Sequence, residues 1–239
     1  MKYLRNLENE SDAIKKTYNV LYYIKPLGSM KIISTPHYIA VDLGLPSGLK
    51  WAKMNIGATK EIDYGKYFQW GDTIGYTDVS HSTWSTCPGN GGNSAYNADS
   101  LAAWDAENLK SVTGMAYSTK ILKPEVDAAT VNMGSNWKMP TLEDYGELHG
   151  YTNHETVEID GVAGEKFTSK IDSSKYIFIP FAGGAVEGSF MVQGTEGNIW
   201  SSSASPQWPD CAYYLNVQRS ASMENAESRS ISLPIRGVC

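Results

Sequence analysis

The stretch NWKMPTLEDYGEL (136–148) decides the class of the fold. Thr141 stands directly before Leu142, Glu143 and Asp144. Its hydroxyl can accept from the free N–H groups of a helix start, and two carboxylates follow where the helix dipole is positive. The pattern predicts a helix over 141–149. Upstream, KPEVDAATVNM (123–133) predicts another, with Pro124 in the first turn, where a missing N–H does no harm. Residues 99–110 are a third candidate. Downstream the apolar runs shorten and are separated by Gly, Asn, Asp and Ser. They predict strands at 157–160, 165–171, 176–181, 198–202, 212–217 and 231–238. The turns DGVAG (160–164) and GTEGN (194–198) punctuate them. A few helices among many short strands and long loops give an α+β domain, with helices packed beside a largely antiparallel sheet.

The N-terminal residues have a different texture. Leu4, Leu7, Ile14, Tyr18, Leu21 and Tyr22 fall near helical spacing, with Ser11 or Asp12 as a cap. Pro26 and Gly28 end that pattern. MKIISTPHYIAV (30–41) alternates partially and predicts a strand leading into the main domain. The expected organisation is an anchoring and linker segment over 1–36 and one domain over 37–239.

Composition narrows the function. The net charge is −6, and the densest basic pair is Lys15-Lys16. A groove that tracks phosphates needs a basic patch, so neither nucleic acid nor an anionic membrane is an expected partner. The start, MKYLRNLENESDAIKK, carries charges where a signal peptide needs a continuous apolar stretch. The expectation is a soluble product of its producer's cytoplasm. Three cysteines, Cys87, Cys211 and Cys239, are too few and scattered for a disulfide framework or a zinc site. They read as free thiols, a Cys211–Cys239 bridge being the alternative.

No constellation carries catalysis. His149 and His154 are five apart, so one helical face would not present both, and the zinc-protease spacing is four. GNGG (89–92) lacks the Lys and Ser/Thr of a phosphate loop. The run WSSSAS has no Gly-x-Ser-x-Gly elbow. Trp208-Pro209-Asp210 is a poor substitute for a calcium-ligand sequence. The chain is therefore expected to be no enzyme, with no cofactor and no metal.

A set of motifs in one order carries a resemblance. VDLGLPSGLKWA (41–52) is followed by NIGAT (55–59), YGKYFQWGDT (64–73), DAA (127–129) and NWKMPTLEDYGEL. IFIPFAGG (177–184), IWSSSAS (199–205), AYYLNV (212–217) and LPIRGV (233–238) complete it. Over about 200 residues this resembles the Fibrobacter succinogenes major paralogous domain, which is abundant in the Bacteroidetes and their phages. The ending LPIRGVC departs from that family's R-P-V close. The resemblance implies a C-type-lectin-like fold and a module displayed on a cell surface or a virion. Within the motifs, Trp51, Trp70, Trp137 and Trp200 are expected as core anchors. Gly44, Gly48, Gly57, Gly65 and Gly71 are expected in tight turns. Arg236 and Asp42 are a candidate structural pair.

The implied function is a phage virion protein, a head or tail fibre. Its N-terminal segment would attach to other virion proteins, and its lectin-like domain would bind a host surface glycan or protein. Closed homodimers or homotrimers are expected, because weak single-site binding gains from multivalency. The alternatives are a capsid decoration protein without host binding and a bacterial cell-surface module. The least favoured is an enzyme of the formylglycine-generating type, which would need a cysteine pair. Binding residues concentrate on loops. The loop 74–98 offers Tyr76, His81, Trp84 and Tyr96. The stretch 204–214 offers Trp208, Asp210 and Tyr213. Either set could instead pin its loop to the core.

Overall fold

Tyr18–Ile24 (β1) is a strand, which corrects the helical reading of Tyr18, Leu21 and Tyr22. It pairs antiparallel with Met30–Pro36 (β2), Leu21 opposite Ile33. YNVLYYI is dense in aromatic and β-branched residues, which fit a pleated surface better than a helix. The hairpin takes the i, i+3 coincidence and discards it. The computed structural model describes residues 18–24, 30–36, 38–88, 109–111, 118–208, 210–218 and 222–239. The proposed helix positions before 18 lie outside them. Contacts divide the chain into two units, Met1–Tyr38 and Ile39–Cys239.

The larger unit is α+β. Its strands are β3 (Ala40–Asp42), β4 (Lys50–Ala52), β5 (Tyr67–Gln69), β6 (Leu109–Ser111), β7 (Ser118–Lys120), β8 (Thr152–Ile159) and β9 (Val162–Ser169). They continue with β10 (Tyr176–Pro180), β11 (Gly184–Val186), β12 (Ser189–Met191), β13 (Gly197–Ala204), β14 (Cys211–Val217), β15 (Ser222–Ser228) and β16 (Ser232–Pro234). Three sheets dominate, in the orders β10-β9-β8, β12-β11-β16-β5 and β13-β14-β15, beside the pairs β3-β4 and β6-β7. All these strand pairings are antiparallel. The third helix expected at 99–110 is corrected at its end, because Leu109 and Lys110 belong to β6; residues 99–108 lie outside the described residues.

Both other helices form, with edges set by their caps. The second spans Leu142–Tyr151; the Thr141 side chain accepts from Asp144 N–H, and the Asp144 carboxylate accepts from Thr141 N–H. This is a reciprocal capping box. Its buried face is Leu142, Tyr145 and Leu148. The expected helix over 123–133 begins later. Pro124–Val126 is a 3-10 turn, and the α-helix Ala128–Met133 starts after Asp127. Asp127 accepts from Thr130 N–H at 2.9 Å and from Met139 N–H at 2.9 Å. One buried carboxylate thus caps a helix and holds the chain that returns beside it. Asp127→Ala is expected to cost about 2 kcal/mol or more, read by denaturant melting, because both a cap and a buried N–H lose their acceptor.

The sheets are braced by tryptophans. Trp70, next to β5, donates its indole N–H to Ser201 O on β13 at 2.8 Å. Trp200 on β13 donates back to Phe68 O on β5 at 2.9 Å. Both side chains are fully buried, as is Trp51, which packs against Tyr145 with ring centroids 5.7 Å apart. Trp137 is half-buried. The five motif glycines all take positive φ, between 71° and 86°. The pairing of Arg236 with Asp42 does not occur. Arg236 is fully buried and donates from Nε to Asn55 Oδ1 and from Nη1 to Lys53 O. Asp42 is exposed and faces Lys50 at 3.8 Å. Burial pushes Arg236 down to about 9; its interior partners are neutral, so sequence polarity alone pointed to the wrong one.

Candidate functional site

The loop 72–88 is fixed at many points. The Asp72 carboxylate accepts from Ile74 and Gly75 N–H and forms the first turn. Tyr76 and Tyr67 exchange both backbone bonds at 2.8 Å. Ser82 O accepts from Glu187 N–H and Ser82 Oγ from Gly188 N–H, which ties the loop to the β11–β12 hairpin. Ser232 Oγ donates to His81 O, and Gln69 Nε2 donates to Thr83 O. A 3-10 turn, Trp84–Thr86, follows, where the Thr83 and Thr86 side chains cap each other's backbone. Trp84 is 42% exposed on this held backbone.

The second loop is equally tight. Ser205 N–H donates to Cys211 O, Trp208 N–H to Ser205 Oγ and Cys211 N–H to Trp208 O. Trp208 stands 54% exposed on that turn. The two loops meet at one residue, Arg229. Its carbonyl accepts from Cys87 Sγ at 3.3 Å, at the end of the first loop. Its N–H donates to Asp210 O at 3.0 Å, at the end of the second. The guanidinium is buried 4.3 Å from the Trp70 ring, with Nε on Cys211 O. Residues far apart in sequence are therefore held in one neighbourhood by one buried residue, chiefly through its backbone.

The other candidate residues divide. Tyr76 and His81 are brought together, their rings stacked with centroids 3.6 Å apart and planes 1° apart. Both are half-buried. Asp210 is half-buried, and its carboxylate accepts from Cys211 Sγ at 3.6 Å. Tyr213 corrects its reading as an exposed contact: it is 3% exposed and packs against Leu142. On β14 both Ala212 and Tyr213 are buried, since one side meets the helix and the other the sheet core. Tyr96, with the rest of 89–98, lies outside the described residues.

Sequence reasoning missed a histidine cluster. The helix ends at Tyr151 and the chain reverses into β8, so His154 returns beside His149 with ring centroids 4.3 Å apart. His154 Nδ1 lies 2.9 Å from Glu165 Oε1, and Thr156 Oγ1 donates to Oε2. Helical spacing could not reveal this, because the pair spans a helix–strand junction. Among the described residues no group of three His, Cys, Asp or Glu is placed to hold a metal. Burial and the neighbouring His154 hold His149 below its ordinary value, Lys170 adding to this and Glu165 opposing it. The unfolded chain therefore takes up this proton first. Stability should be full above the usual histidine value of about 6.5 and fall as pH drops through it toward the lower folded value. Urea melts across that window should show the fall, and His149→Gln should flatten it.

Two further features bear on chemistry. No disulfide joins the three cysteines: Cys87 is buried, Cys211 half-buried and Cys239 exposed. Burial and the Asp210 carboxylate push the Cys211 thiol up to about 12, which keeps it protonated and poorly nucleophilic. A cleft of about 380 Å³ is lined by Lys53, Lys60, Glu61, Ile62, Ile159 and neighbours. Its Glu61 carboxylate is already engaged, accepting from Tyr176 Oη at 3.1 Å and lying 3.6 Å from Lys53 Nζ. Comparison of the chain with family models, with curated proteins and with solved structures finds no match.

Proposed function

We propose that the chain is a non-catalytic binding module whose contact surface is built on Trp84 and Trp208, and that it is displayed on a bacteriophage particle. One observation carries the first half. Trp51, Trp70 and Trp200 are completely buried, whereas Trp84 and Trp208 are held about half in solvent by tightly bonded loops. A half-exposed indole leaves on the order of 100 Å² of apolar surface in water, roughly 2–3 kcal/mol of burial not realised in the free protein. A ligand that covers the rings recovers it. Rigid loops keep the ordering cost of binding low.

The displayed setting rests on the motif resemblance. In this reading the larger unit is a C-type-lectin-like module, and the N-terminal unit attaches it to other virion proteins. Binding to a host surface glycan or protein then gains from closed dimers or trimers. Mass spectrometry of purified particles, with antibody labelling of intact ones, tests the setting. The chain is expected in stoichiometric amounts, with the larger unit accessible to antibody. Recovery only in the bacterial envelope would move the module to the host's own surface.

A further inference from the structure

We infer that the junction between the helix Leu142–Tyr151 and β8 is a proton-operated latch, closed while the pair His149–His154 carries at most one proton and opened by the second. The two rings stand 4.3 Å apart, and one carboxylate serves them. Glu165 is buried; its Oε1 meets His154 Nδ1 at 2.9 Å, and its Oε2 accepts from the Thr156 hydroxyl. A proton on His154 therefore has a counter-ion in hydrogen-bond contact. Among the described residues no carboxylate stands in such contact with His149. The other charges nearby are engaged or repel. Glu147, on the same helix, accepts from the Ser47 N–H and hydroxyl. Glu155 on β8 faces Lys166 of β9 at 4.0 Å. Lys170, just past β9, donates to Gly150 O at 2.8 Å and brings a further positive charge. Two charged rings at this spacing, with a lysine beside them, repel one another. Burial, then His154, resist the second proton, so the closed form is favoured above the usual histidine value of about 6.5 and gives way as pH falls through it.

The turn that must move is weakly built. The helix sequence LEDYGELHGY places glycine at 146 and 150. A methyl at either would meet nothing within 4 Å, so packing does not demand glycine there. After proline, glycine is the least favourable residue in a helix interior. The first half of the helix is held firmly. Its start has the capping box, Leu142 N–H donates to Ser203 Oγ, and Tyr145 Oη donates to Ile199 O and Trp200 O. The last turn has less. Gly150 and Tyr151 are exposed, and the Thr152 N–H and hydroxyl both rest on Leu148 O. Segments with few buried contacts and exposed backbone bonds are the ones that open locally. Opening lifts His154 from the Phe167 ring, 5.6 Å away, and brings that buried core ring to solvent in acid.

Amide hydrogen exchange on the full-length chain, corrected for the intrinsic pH dependence of exchange, tests this between about pH 7.5 and 5. The amides of residues 149–152 should exchange faster in acid, by up to about thirtyfold. That ceiling belongs to one histidine of ordinary value, about 6.5, that charges only in the open form. The amides of β13 and β14 should not follow. His149→Gln should abolish the acid increase, because the remaining ring keeps its counter-ion. Gly146→Ala together with Gly150→Ala leaves both rings in place; it should slow exchange of the same amides and move the opening to lower pH. Exchange of 149–152 that stays unchanged in acid would overturn the inference. So would an acid increase that persists in His149→Gln, or one that β13 and β14 share in step, which would mark global unfolding and no latch.

Discussion

Trp200→Ala should lower the stability of the larger unit by about 4 kcal/mol, the range seen for large aromatic truncations in closed cores. The residue is fully buried in the cluster of Phe68, Trp70, Met139 and Leu233. It meets Tyr214 edge-on, ring centroids 6.0 Å apart at 79°. Its N–H is one of two indole bonds that cross between β5 and β13. Truncation would open a cavity and leave Phe68 O bare. Thermal melting should fall by roughly 10 °C for a unit of this size. Trp200→Phe separates the two costs. It keeps a ring against Tyr214 and loses only the hydrogen bond and part of the volume, about 1–3 kcal/mol. Equal losses for both substitutions would mean that the brace, not the packing, dominates.

Gly183→Ala should be nearly as damaging although it adds one methyl. Gly183 sits at φ +61°, and a Cβ there would lie 2.1 Å from Met191 O and 2.7 Å from Gln193 N. Both obstacles are backbone, so no side-chain rotation relieves them. Gly183 N–H donates to Glu196 O at 2.7 Å, and Gly194 N–H donates to Phe181 O at 2.7 Å. The substitution would push apart the segment entering β11 and the turn after β12. Strain and overpacking together predict about 3 kcal/mol or more. Denaturant melting checks it. Gly188→Ala is the control, because that glycine has positive φ but no neighbour within 4 Å; its cost should stay near 1 kcal/mol.

The sequence was most legible where local chemistry decides. The capping box at Thr141 and Asp144 uses residues three apart, so the helix start could be read directly. Strands β8, β9, β10, β13 and β14 stand where alternation and turn residues put them, shifted by a few positions. The three-residue strands β3, β4, β5, β11 and β12 are too short to show a period. β5 and β11 exist because β16 runs back beside them, and β4 because the segment 235–239 does, as in Lys50 N–H to Cys239 O at 2.9 Å; β3 and β12 pair in turn with β4 and β11. Long-range pairing of that kind leaves no local trace. Tyr18–Ile24 was misread because its apolar residues satisfy two periods at once. At the site, Trp84 and Trp208 could be named from their loops. Tyr213 could not be told from them, since its burial depends on Leu142 arriving from the helix. Nor could the junction at Arg229, where residues 87 and 210 both bond the backbone of one residue.

The central claim is that Trp84 and Trp208 serve binding and not folding. Attachment of the full-length chain to intact cells of the proposed bacterial host, measured beside its melting temperature, tests it most directly. For the double variant Trp84→Ala, Trp208→Ala the account predicts near-complete loss of attachment and a melting temperature within about 2 °C of the unsubstituted chain, the behaviour of exposed positions away from the core. A fall of roughly 8 °C or more, or attachment that persists unchanged, would contradict it.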